Sequence, residues 1–395
     1  MLNSSWWKWS IVAVVTVLAI GWGSQAFQSA WTTKIVAEGP DASRQRVITP
    51  DIAVVGSTVY ISYAEDAAKT VWLVKGDRKV EAYKGGGRAL NTSVAASENR
   101  VCVAWQQDDF GVYQRCANAA DLAWLGDSVL ISQAGKVAGQ HDLQGEWSGG
   151  FDNAMAKDGT AYVVWGENYD TLKAAKSADG KSWAACGEIP NQPGDAIRYP
   201  TVYVDDQGTV WASSAQANQR PDILVWMSTD GCASWKGPQN TSNNAGFSDA
   251  PGLARLGNRL YETNDDDTTN PSDADIHVNI CNITGDGASG CQTKVVLKGG
   301  GFPHIATDGK GLYVNADNHA GGAYYGYSCD EGANWSQDDI PNSRPSAYGV
   351  RDPDFGITFS RSRIAAGGGT VYVVWSTRQE GKSRIMLSTR PADCK

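Results

Sequence analysis

Two arginines occupy positions that could serve ligand binding. Arg198 and Arg351 each stand two residues before a proline, in the strings Ile197-Arg198-Tyr199-Pro200 and Val350-Arg351-Asp352-Pro353. A guanidinium group presents paired N–H donors that match the two oxygens of a carboxylate. The two arginines therefore indicate a carboxylate-binding site if the fold brings them together. The alternative is that each is a surface arginine paired with a neighbouring loop.

Two long segments carry further polar and aromatic residues. Residues 117–151 include the string HDLQGEWSGG, and residues 336–361 include SRPSAYGVRDPDFG. Long loops on a rigid scaffold are where binding residues concentrate, and exposed aromatic rings can stack on sugars. Repeated Trp and Tyr residues are more often part of a core, so only a few are candidates. We predict that the following residues bind a ligand: Trp147, Glu146, Tyr199, Arg344 and Asp354.

An acidic stretch follows Asn264 and continues to Asp275. Carboxylate oxygens are preferred calcium ligands, so Asp265 and Asp267 are candidate metal ligands. The spacing lacks a regular calcium loop, and a solvated acidic loop is the favoured interpretation. With only four histidines and no C-x-x-C, a zinc site is not expected. No phosphate-binding loop or nucleophilic-serine motif occurs either, so we predict no cofactor.

The overall charge excludes one class of partner. The chain has 395 residues and a net charge of −9, and it contains no basic run. Nucleic-acid binding needs clustered Lys and Arg to neutralise phosphates, so no nucleic-acid partner is expected. The same charge argues against a polybasic membrane patch. Membrane contact is predicted only through residues 1–31, if they are retained.

Seven similar phrases form the framework that must position these residues. Each ends in a β-branched and aromatic run, and the runs are VYISY, VCVAW, AYVVW, VWASS, LYETN, LYVNA and VYVVW. The phrases span 50–63, 90–105, 152–165, 200–214, 251–264, 303–316 and 362–375. Each phrase predicts the two inner strands of a repeated sheet. We therefore predict an all-β fold, a seven-bladed β-propeller over residues 32–395, with six blades as the alternative.

A second motif, S-x-D-x-G-x-x-W, recurs between these phrases. It occurs at 228–235 and 328–335, one residue shorter at 177–183, and in degraded form at 284–291, where Cys291 replaces the Trp. Short Ser and Asp side chains accept hydrogen bonds from turn N–H groups, and Gly permits a positive φ. The motif therefore predicts tight turns between outer strands. It resembles the Asp-box (BNR) repeat of the sialidase superfamily, whose members are β-propellers.

This resemblance implies one of two functions that the sequence leaves open. Sialidases clamp a substrate carboxylate with arginines and use a Tyr nucleophile. Carried over to this chain, the resemblance implies an exo-glycosidase with these residues: Arg198 and Arg351 as clamps, Asp352 or Asp51 as the acid, and Tyr348 or Tyr199 as the nucleophile. Sialidases are six-bladed, however, and their aromatic-Arg-Ile-Pro motif is missing from the first blade, which reads Arg46-Val47-Ile48-Thr49-Pro50. The leading prediction is a non-catalytic binding or scaffold propeller that holds a protein or glycan partner on one face.

The chain termini and cysteines predict how the ring closes. The last blade has a third strand at 384–389, and its fourth strand could come from 33–37. Eight cysteines, an even number, suggest disulfides in an extracytoplasmic compartment. Spacing alone leaves the connectivity open. The pairs that fit the blade scheme are Cys102 with Cys116, Cys281 with Cys291, Cys186 with Cys232, and Cys329 with Cys394.

The N-terminal segment predicts a membrane-targeting sequence. Lys8 is followed by an apolar run from Ile11 to Trp22. Residues 1–31 suit either a cleaved signal peptide or a retained anchor helix, with flanking tryptophans such as Trp31 at the membrane interface. Both alternatives place the propeller outside the cytoplasm, either tethered to the membrane or secreted.

Overall fold

The fold is a closed ring of β-sheets. The computed structural model describes residues 30–42, 45–109, 111–132, 150–167, 170–190, 197–216, 221–269, 274–318, 322–341, 343, 351–352, 356–357 and 362–395. Within these residues there are seven four-stranded antiparallel sheets. None of the described residues forms a helix that is long and apolar enough to span a bilayer. The predicted leader helix falls within residues 1–29, outside the described residues.

The first three blades follow the chain from inner to outer strand. Blade 1 contains β2 (Val47–Val55), β3 (Thr58–Glu65), β4 (Thr70–Lys75) and β5 (Arg78–Lys84). Blade 2 contains β6 (Ala89–Ala96), β7 (Arg100–Gln107), β8 (Val112–Asn118) and β9 (Val129–Leu130). Blade 3 contains β10 (Phe151–Met155), β11 (Ala161–Glu167), β12 (Thr171–Ser177) and β13 (Ala184–Ala185).

The next three blades repeat this order. Blade 4 contains β14 (Ile197–Val204), β15 (Val210–Gln216), β16 (Asp222–Ser228) and β17 (Lys236–Asn240). Blade 5 contains β18 (Ser248–Leu256), β19 (Arg259–Asp266), β20 (Asp275–Thr284) and β21 (Gly287–Leu297). Blade 6 contains β22 (Gly300–Thr307), β23 (Leu312–Asn318), β24 (Gly322–Ser328) and β25 (Ser336–Asp339). A short pair, β26 (Arg351–Asp352) and β27 (Gly356–Ile357), precedes blade 7.

Blade 7 closes the ring with a strand from the other end of the chain. It contains β28 (Arg363–Gly367), β29 (Thr370–Gln379) and β30 (Lys382–Pro391), and β1 (Thr32–Pro40) supplies its outermost strand. β1 pairs antiparallel with β30, from Thr32 opposite Thr389 to Pro40 opposite Lys382. The seven-bladed ring and its N-terminal closing strand are as the sequence predicts. Pairing β1 with β30 joins residues from both ends of the chain in one sheet and so closes the ring.

One residue before the predicted domain start belongs to the propeller core. Trp31 is only 8% exposed and packs edge-on against Tyr325, with ring centroids 5.1 Å apart. The guanidinium of Arg390 lies 5.2 Å from the Trp31 ring. The expectation that Trp31 is an interfacial aromatic of the leader is therefore wrong, because its indole fills the space between blades 6 and 7.

Four disulfides reinforce the blades, in the pairing that the sequence suggests. Cys102–Cys116 and Cys281–Cys291 each bridge neighbouring strands of one blade, whereas Cys186–Cys232 and Cys329–Cys394 join different blades. No cysteine in the chain is left unpaired. Stable disulfides form in oxidising compartments, which indicates an extracytoplasmic protein.

The S-x-D-x-G-x-x-W motifs form the outer turns of three blades. In the turn at 228–235, the Asp230 carboxylate accepts hydrogen bonds from the Ser228 hydroxyl at 2.8 Å and the Ser234 N–H at 2.9 Å. Asp330 makes the equivalent bonds with Ser328 and with the N–H of Asn334. The Asp therefore closes the turn, and the hydrogen bonds from Ser234 lower the pKa of Asp230 to about 2.

Candidate functional site

Aligning the seven inner strands by register places one residue of each blade at the propeller axis. In each blade, this is the residue of the innermost strand that pairs with the fourth residue of the β-rich run. In blade order, the seven residues are Asp51, Ser93, Asp152, Thr201, Gly252, His304 and Arg363. We call these seven residues the axial ring. Equivalent positions in a closed ring lie at the same height, so the ring gathers charged and hydroxyl groups that are up to 312 residues apart in sequence, from Asp51 to Arg363.

A β-bulge at an X-Pro pair positions the axial-ring residue in four blades. The strand register shifts at Thr49-Pro50, Tyr199-Pro200, Ala250-Pro251 and Phe302-Pro303. The residue before each proline has a positive φ, between 48° and 53°. A bulge bends the strand and re-aims the side chains around it. The recurring X-Pro pairs therefore explain why the next residue, such as Asp51 or His304, lies at the axis.

Two carboxylates and a serine form the polar centre of the axial ring. The Ser93 hydroxyl lies 3.0 Å from Asp51 Oδ2, 3.0 Å from Asp152 Oδ1 and 2.7 Å from Asn153 Oδ1. The Arg363 guanidinium Nε is 3.8 Å from Asp51 Oδ1. Both carboxylates also accept backbone N–H groups of the following inner strand, Asp51 from Val94 and Asp152 from Val202. The cluster therefore joins neighbouring blades.

The two carboxylates are buried in different electrostatic surroundings. Burial raises the pKa of Asp152 to about 6; Arg363 opposes this shift, and Asp51 adds to it. A carboxyl group whose pKa is raised toward neutrality, close to a second carboxyl group, is an arrangement that acid–base chemistry on a glycosidic bond uses. The same arrangement also serves as an inter-blade hydrogen-bond network, which by itself accounts for every contact of Ser93.

The ring opens into a small axial cavity. Its volume is about 270 Å³, and residues from all seven inner strands line it, among them Asp51, Asp152, Thr201 and His304. Pockets for drug-sized ligands are usually roughly 300–1,000 Å³. The cavity is therefore too small for an oligosaccharide, and a larger ligand would have to bind over its mouth.

The mouth of the channel contains one of the predicted arginines. Arg198 lies two residues ahead of the bulged Pro200, and its guanidinium is 2.7 Å from Asp249 Oδ2. It also lies 5.0 Å from the ring of Phe247 and 5.7 Å from that of Tyr199. The side chain of Arg198 is 12% exposed. Its charge is thus already matched by a carboxylate, as in the alternative of a paired structural arginine.

Tyr199 is enclosed by neighbouring blades. Its side chain is 1% exposed and contacts Phe302, with ring centroids 5.8 Å apart. Blades 4 and 6 are not adjacent, so their side chains can meet only close to the axis. The two rings therefore lie near the axis. The expectation that Tyr199 offers an exposed ring to a sugar is not met, because the ring is enclosed.

The acidic candidates for a metal site bond to backbone groups. Asp265 Oδ2 accepts the Phe302 N–H at 2.8 Å, and Asp267 Oδ1 accepts the Phe247 N–H at 2.6 Å. Within the described part of the chain, no three His, Cys, Asp or Glu side chains are grouped closely enough to hold a metal ion. A structural role for these two aspartates is sufficient to explain their contacts.

The remaining predicted site residues cannot be compared with this geometry. Trp147, Glu146, Arg344, Tyr348 and Asp354 lie outside the described residues. Only the backbone of Arg351 and Asp352 is described, as β26. Convergence of the Arg351 and Arg198 side chains remains a prediction.

Sequence reasoning missed part of the axial ring. Asp51 was a candidate acid, but Ser93, His304 and Arg363 were not singled out. Their signal was present in the sequence, because each stands at the same place in its phrase relative to the β-rich run. A position-by-position alignment of the seven phrases would have identified them.

We expect Ser93→Ala to lower the free energy of unfolding by about 1–3 kcal/mol, because it removes the hydroxyl shared by buried carboxylates. Urea unfolding of the variant checks this value. Ser57→Ala, at an exposed serine, is the matched control and should change stability little. An equally small effect at Ser93 would contradict a role in joining the blades.

Comparisons with known proteins agree on the fold. The sequence matches no protein-family description and no curated protein. Among solved structures, a lectin from Burkholderia pseudomallei is similar, with 12% identity and a TM-score of 0.60 over 89% of this chain and 97% of the lectin. The polysaccharide lyase Uly1 has 11% identity and a TM-score of 0.56 over 91% of this chain and 100% of the lyase.

A sialidase is also among the similar structures. A mutant Trypanosoma rangeli sialidase with trans-sialidase activity has 10% identity and a TM-score of 0.50, over 92% of this chain and 59% of the sialidase. At these identities the likeness concerns the fold, and it extends to binding proteins and enzymes alike. The chain is thus a seven-bladed β-propeller similar in fold to the propellers of lectins, polysaccharide lyases and sialidases.

Proposed function

We propose that this protein is an extracytoplasmic propeller that binds a glycan over the mouth of its axial channel without cleaving it. The observation that carries the proposal is that the guanidinium of Arg198 is already paired with a carboxylate of this protein. Asp249 neutralises its charge at 2.7 Å, and two aromatic rings pack against it. A clamp for a substrate carboxylate needs guanidinium groups that are free to pair with the ligand. Tyr199, one of two candidate nucleophiles, is enclosed as well.

The size of the axial cavity supports binding at the surface of the ring. A volume of about 270 Å³ leaves no room for a chain of sugars inside the channel. The ligand would instead contact the connections that enter the inner strands. We assign its contacts to the sequence candidates Trp147, Glu146, Arg344 and Asp354, because aromatic and charged side chains on long connections suit sugar recognition.

A glycoside hydrolase is the second candidate, because the axial ring contains a carboxylate pair. Asp51 and Asp152 share the Ser93 hydroxyl, and the pKa of Asp152 is raised to about 6. In such an enzyme Asp152 would be the proton donor. Its rate would fall as the pH rises through about 6, since the donor is lost on ionisation.

The test combines a binding assay with a hydrolysis assay on the same protein. The protein should begin no later than Ala30, so that Trp31 and β1 are retained. Immobilised neutral, uronate-containing and sialylated glycans measure binding, and fluorogenic glycosides, including sialosides, measure turnover. Trp147→Ala and Arg344→Ala probe the proposed contacts, with Lys310→Ala on the opposite end of blade 6 as the control.

We expect binding without turnover, and at least about tenfold weaker binding, or ~1.4 kcal/mol, in the two contact variants. Unchanged binding in both variants, with the fold intact, would contradict the assigned contacts. Turnover that disappears in Asp152→Asn or Arg351→Ala would establish the hydrolase instead. Absence of both binding and turnover would favour a protein partner on this face.

The predicted leader extends the proposal to the membrane. If residues 1–31 remain attached, the propeller is a tethered subunit of a membrane-associated complex; if they are cleaved, it is secreted. Asp-box repeats at 177–183, 228–235, 284–291 and 328–335 fit either form. Mass spectrometry of the N-terminus of the native protein distinguishes the two.

A further inference from the structure

We call the interface between two neighbouring blades a seam. Six of the seven seams are filled by an outer turn, or by the C-terminal tail, of the blade that follows in the ring. The outer turn of blade 2, residues 119–124, packs on blade 1, where the Lys75 ammonium donates to the Ala119 carbonyl at 2.6 Å. The turn of blade 3 is held by Arg100, which donates to the Ala178 carbonyl at 2.9 Å. In blade 4, Lys176 of the preceding blade donates to Gly231 at 2.7 Å.

The same arrangement continues around the ring. Lys236 of blade 4 donates to the Gly285 carbonyl in the turn of blade 5. Tyr261 of blade 5 donates to the Glu331 carbonyl in the turn of blade 6 at 3.0 Å. Blade 7 has no such turn, but its C-terminal tail fills the seam with blade 6 through the Cys329–Cys394 disulfide. Each filled seam thus receives an acidic or aromatic turn, or a covalent link, from the next blade.

The seam between blade 7 and blade 1 is different. The outer turn of blade 1 consists only of Gly76 and Asp77, between Lys75 and Arg78, so it is too short to reach blade 7. A groove of about 890 Å³ remains between the two blades. We call it the closing-seam groove. Its volume lies within the roughly 300–1,000 Å³ of typical ligand pockets.

The walls of this groove combine an apolar floor with cations. Ile61, Tyr372 and Leu387 line it and are at most 9% exposed. Ile35 of β1 also lines it and is 51% exposed, an unusual value for a large aliphatic side chain in this protein. An apolar surface of this kind, left open in a ring whose other seams are filled, marks an interaction site.

The charge of the groove is opposite to that of the protein as a whole. Its lining residues include four cations and one carboxylate: Lys34, Lys75, Arg78, Lys79 and Asp77, whereas the chain carries −9. Lys75 and Arg78 already donate to carbonyls of blade 2. Lys34 and Lys79 form no ion pair with any carboxylate of the described residues, and Lys79 lies 3.8 Å from the centroid of the Trp72 ring.

We propose that the closing-seam groove binds an acidic peptide turn with an aromatic side chain, supplied by a partner protein. The apolar floor would take the aromatic ring, as the other seams take Trp235 or Trp335. Lys34 and Lys79 would pair with the acidic residues, as electrostatic complementarity favours. The occupant is thus similar in chemistry to the S-x-D-x-G-x-x-W turns of this protein. This site is separate from the channel mouth and does not depend on glycan binding.

A peptide selection tests this proposal directly. Random twelve-residue peptides displayed on phage are selected on the wild-type protein and counter-selected on Thr58→Trp, which fills the groove. Enriched peptides are then titrated by fluorescence anisotropy against Lys34→Glu and Lys79→Glu, with Lys310→Glu, in an exposed turn of blade 6, as the matched control. The titrations are repeated at high salt, and polygalacturonate and anionic vesicles are added as competitors.

We expect enrichment of Asp or Glu together with Trp, Tyr or Phe. Binding should weaken at least tenfold in each groove variant and at high salt, but not in Lys310→Glu. Peptides without acidic residues, or affinities unchanged in both groove variants, would overturn the proposal. Failure to recover any groove-dependent peptide would do the same. Tight competition by polygalacturonate or by vesicles would assign the groove to a polysaccharide or a lipid instead.

Discussion

Replacing Glu262 by glutamine is expected to raise the free energy of unfolding at pH 7 by on the order of 3 kcal/mol. Glu262 is fully buried between blades 4 and 5, and burial raises the pKa of its carboxyl to about 8. The five-residue run of blade 5, LYETN, places this Glu where other blades carry Ile61, Val103, Val163, Val314 or Val373. A carboxyl group thus occupies a position that is otherwise part of an aliphatic core.

The contacts of Glu262 explain why glutamine is the right replacement. One oxygen, Oε2, accepts from Asn279 Nδ2 at 2.6 Å and from the Thr241 hydroxyl at 3.3 Å. The other oxygen, Oε1, is buried without a hydrogen-bond partner. Glutamine has the same shape and keeps an accepting oxygen for Asn279, but it cannot ionise. It therefore removes the cost of the charge without leaving a cavity.

The sign of the pH dependence follows from the direction of the pKa change. The folded protein holds the Glu262 proton more tightly than the unfolded chain, whose ordinary value is 4.5. This contribution to stability is fully present below about pH 4.5 and is lost as the pH rises through about 8. The charge of Asp266 adds to the raised pKa of Glu262, and Asp266 Oδ1 also lies 3.7 Å from His277 Nδ1. Burial lowers the pKa of His277, so its contribution changes below neutral pH.

The measurement is chemical unfolding of both proteins at pH 5 and at pH 8. The advantage of Glu262→Gln should be small at pH 5 and largest at pH 8. Glu81→Gln, at an exposed glutamate of blade 1, controls for the loss of one negative charge and should show little difference between the two pH values. A difference between Glu262→Gln and wild type that is equal at both pH values would show that Glu262 does not titrate in this way.

The second large effect is expected at Trp31. We predict that Trp31→Ala lowers the free energy of unfolding by about 3–5 kcal/mol, the usual cost of removing a buried large aromatic side chain. The indole contacts Tyr325, and Arg390 lies against it while bonding to Asp393 at 2.7 Å. Because these contacts join the strand that closes the ring to blade 6, the loss should weaken ring closure as well as local packing.

Urea unfolding of a protein that begins at Ala30 measures this effect, since residues before it then contribute nothing. Trp31→Phe keeps an aromatic ring against Tyr325 and should lose only about 1 kcal/mol. A loss of less than about 1 kcal/mol for Trp31→Ala would indicate that Trp31 contributes little to the stability of the propeller. A full effect would show that the propeller begins at or before residue 31.

Local patterns in the sequence were sufficient for the framework of this fold. Alternating runs such as VYISY and VYVVW identified the inner strands because the side-chain period of a strand is two. The turn motif identified the outer hairpins, since Ser228 and Asp230 need only neighbours within six residues to make their hydrogen bonds. The strand at 33–37 was predicted because the last blade lacked one, and the cysteines pair as that arrangement suggested.

What the sequence alone could not decide depends on contacts between blades. The roles of Tyr199 and Arg198 were open because their partners, Phe302 and Asp249, are more than 50 residues away in sequence. Lys34 and the Lys75–Lys79 turn are some 40 residues apart in the chain, so the sequence does not show that they share one groove. It exists because ring closure places β1 beside blade 1, whose outer turn is too short to fill the seam.

The sequence by itself thus indicated seven repeated units, with six blades as the alternative, the turns that end them and the way they close. The tertiary structure decided which polar residues meet at the axis, which aromatic rings are enclosed and which seam stays open. The physical reason is the separation along the chain of the residues that must interact. Strand and turn formation depend on side chains a few residues apart, whereas burial, charge pairing and pKa values depend on neighbours that only the closed ring brings together.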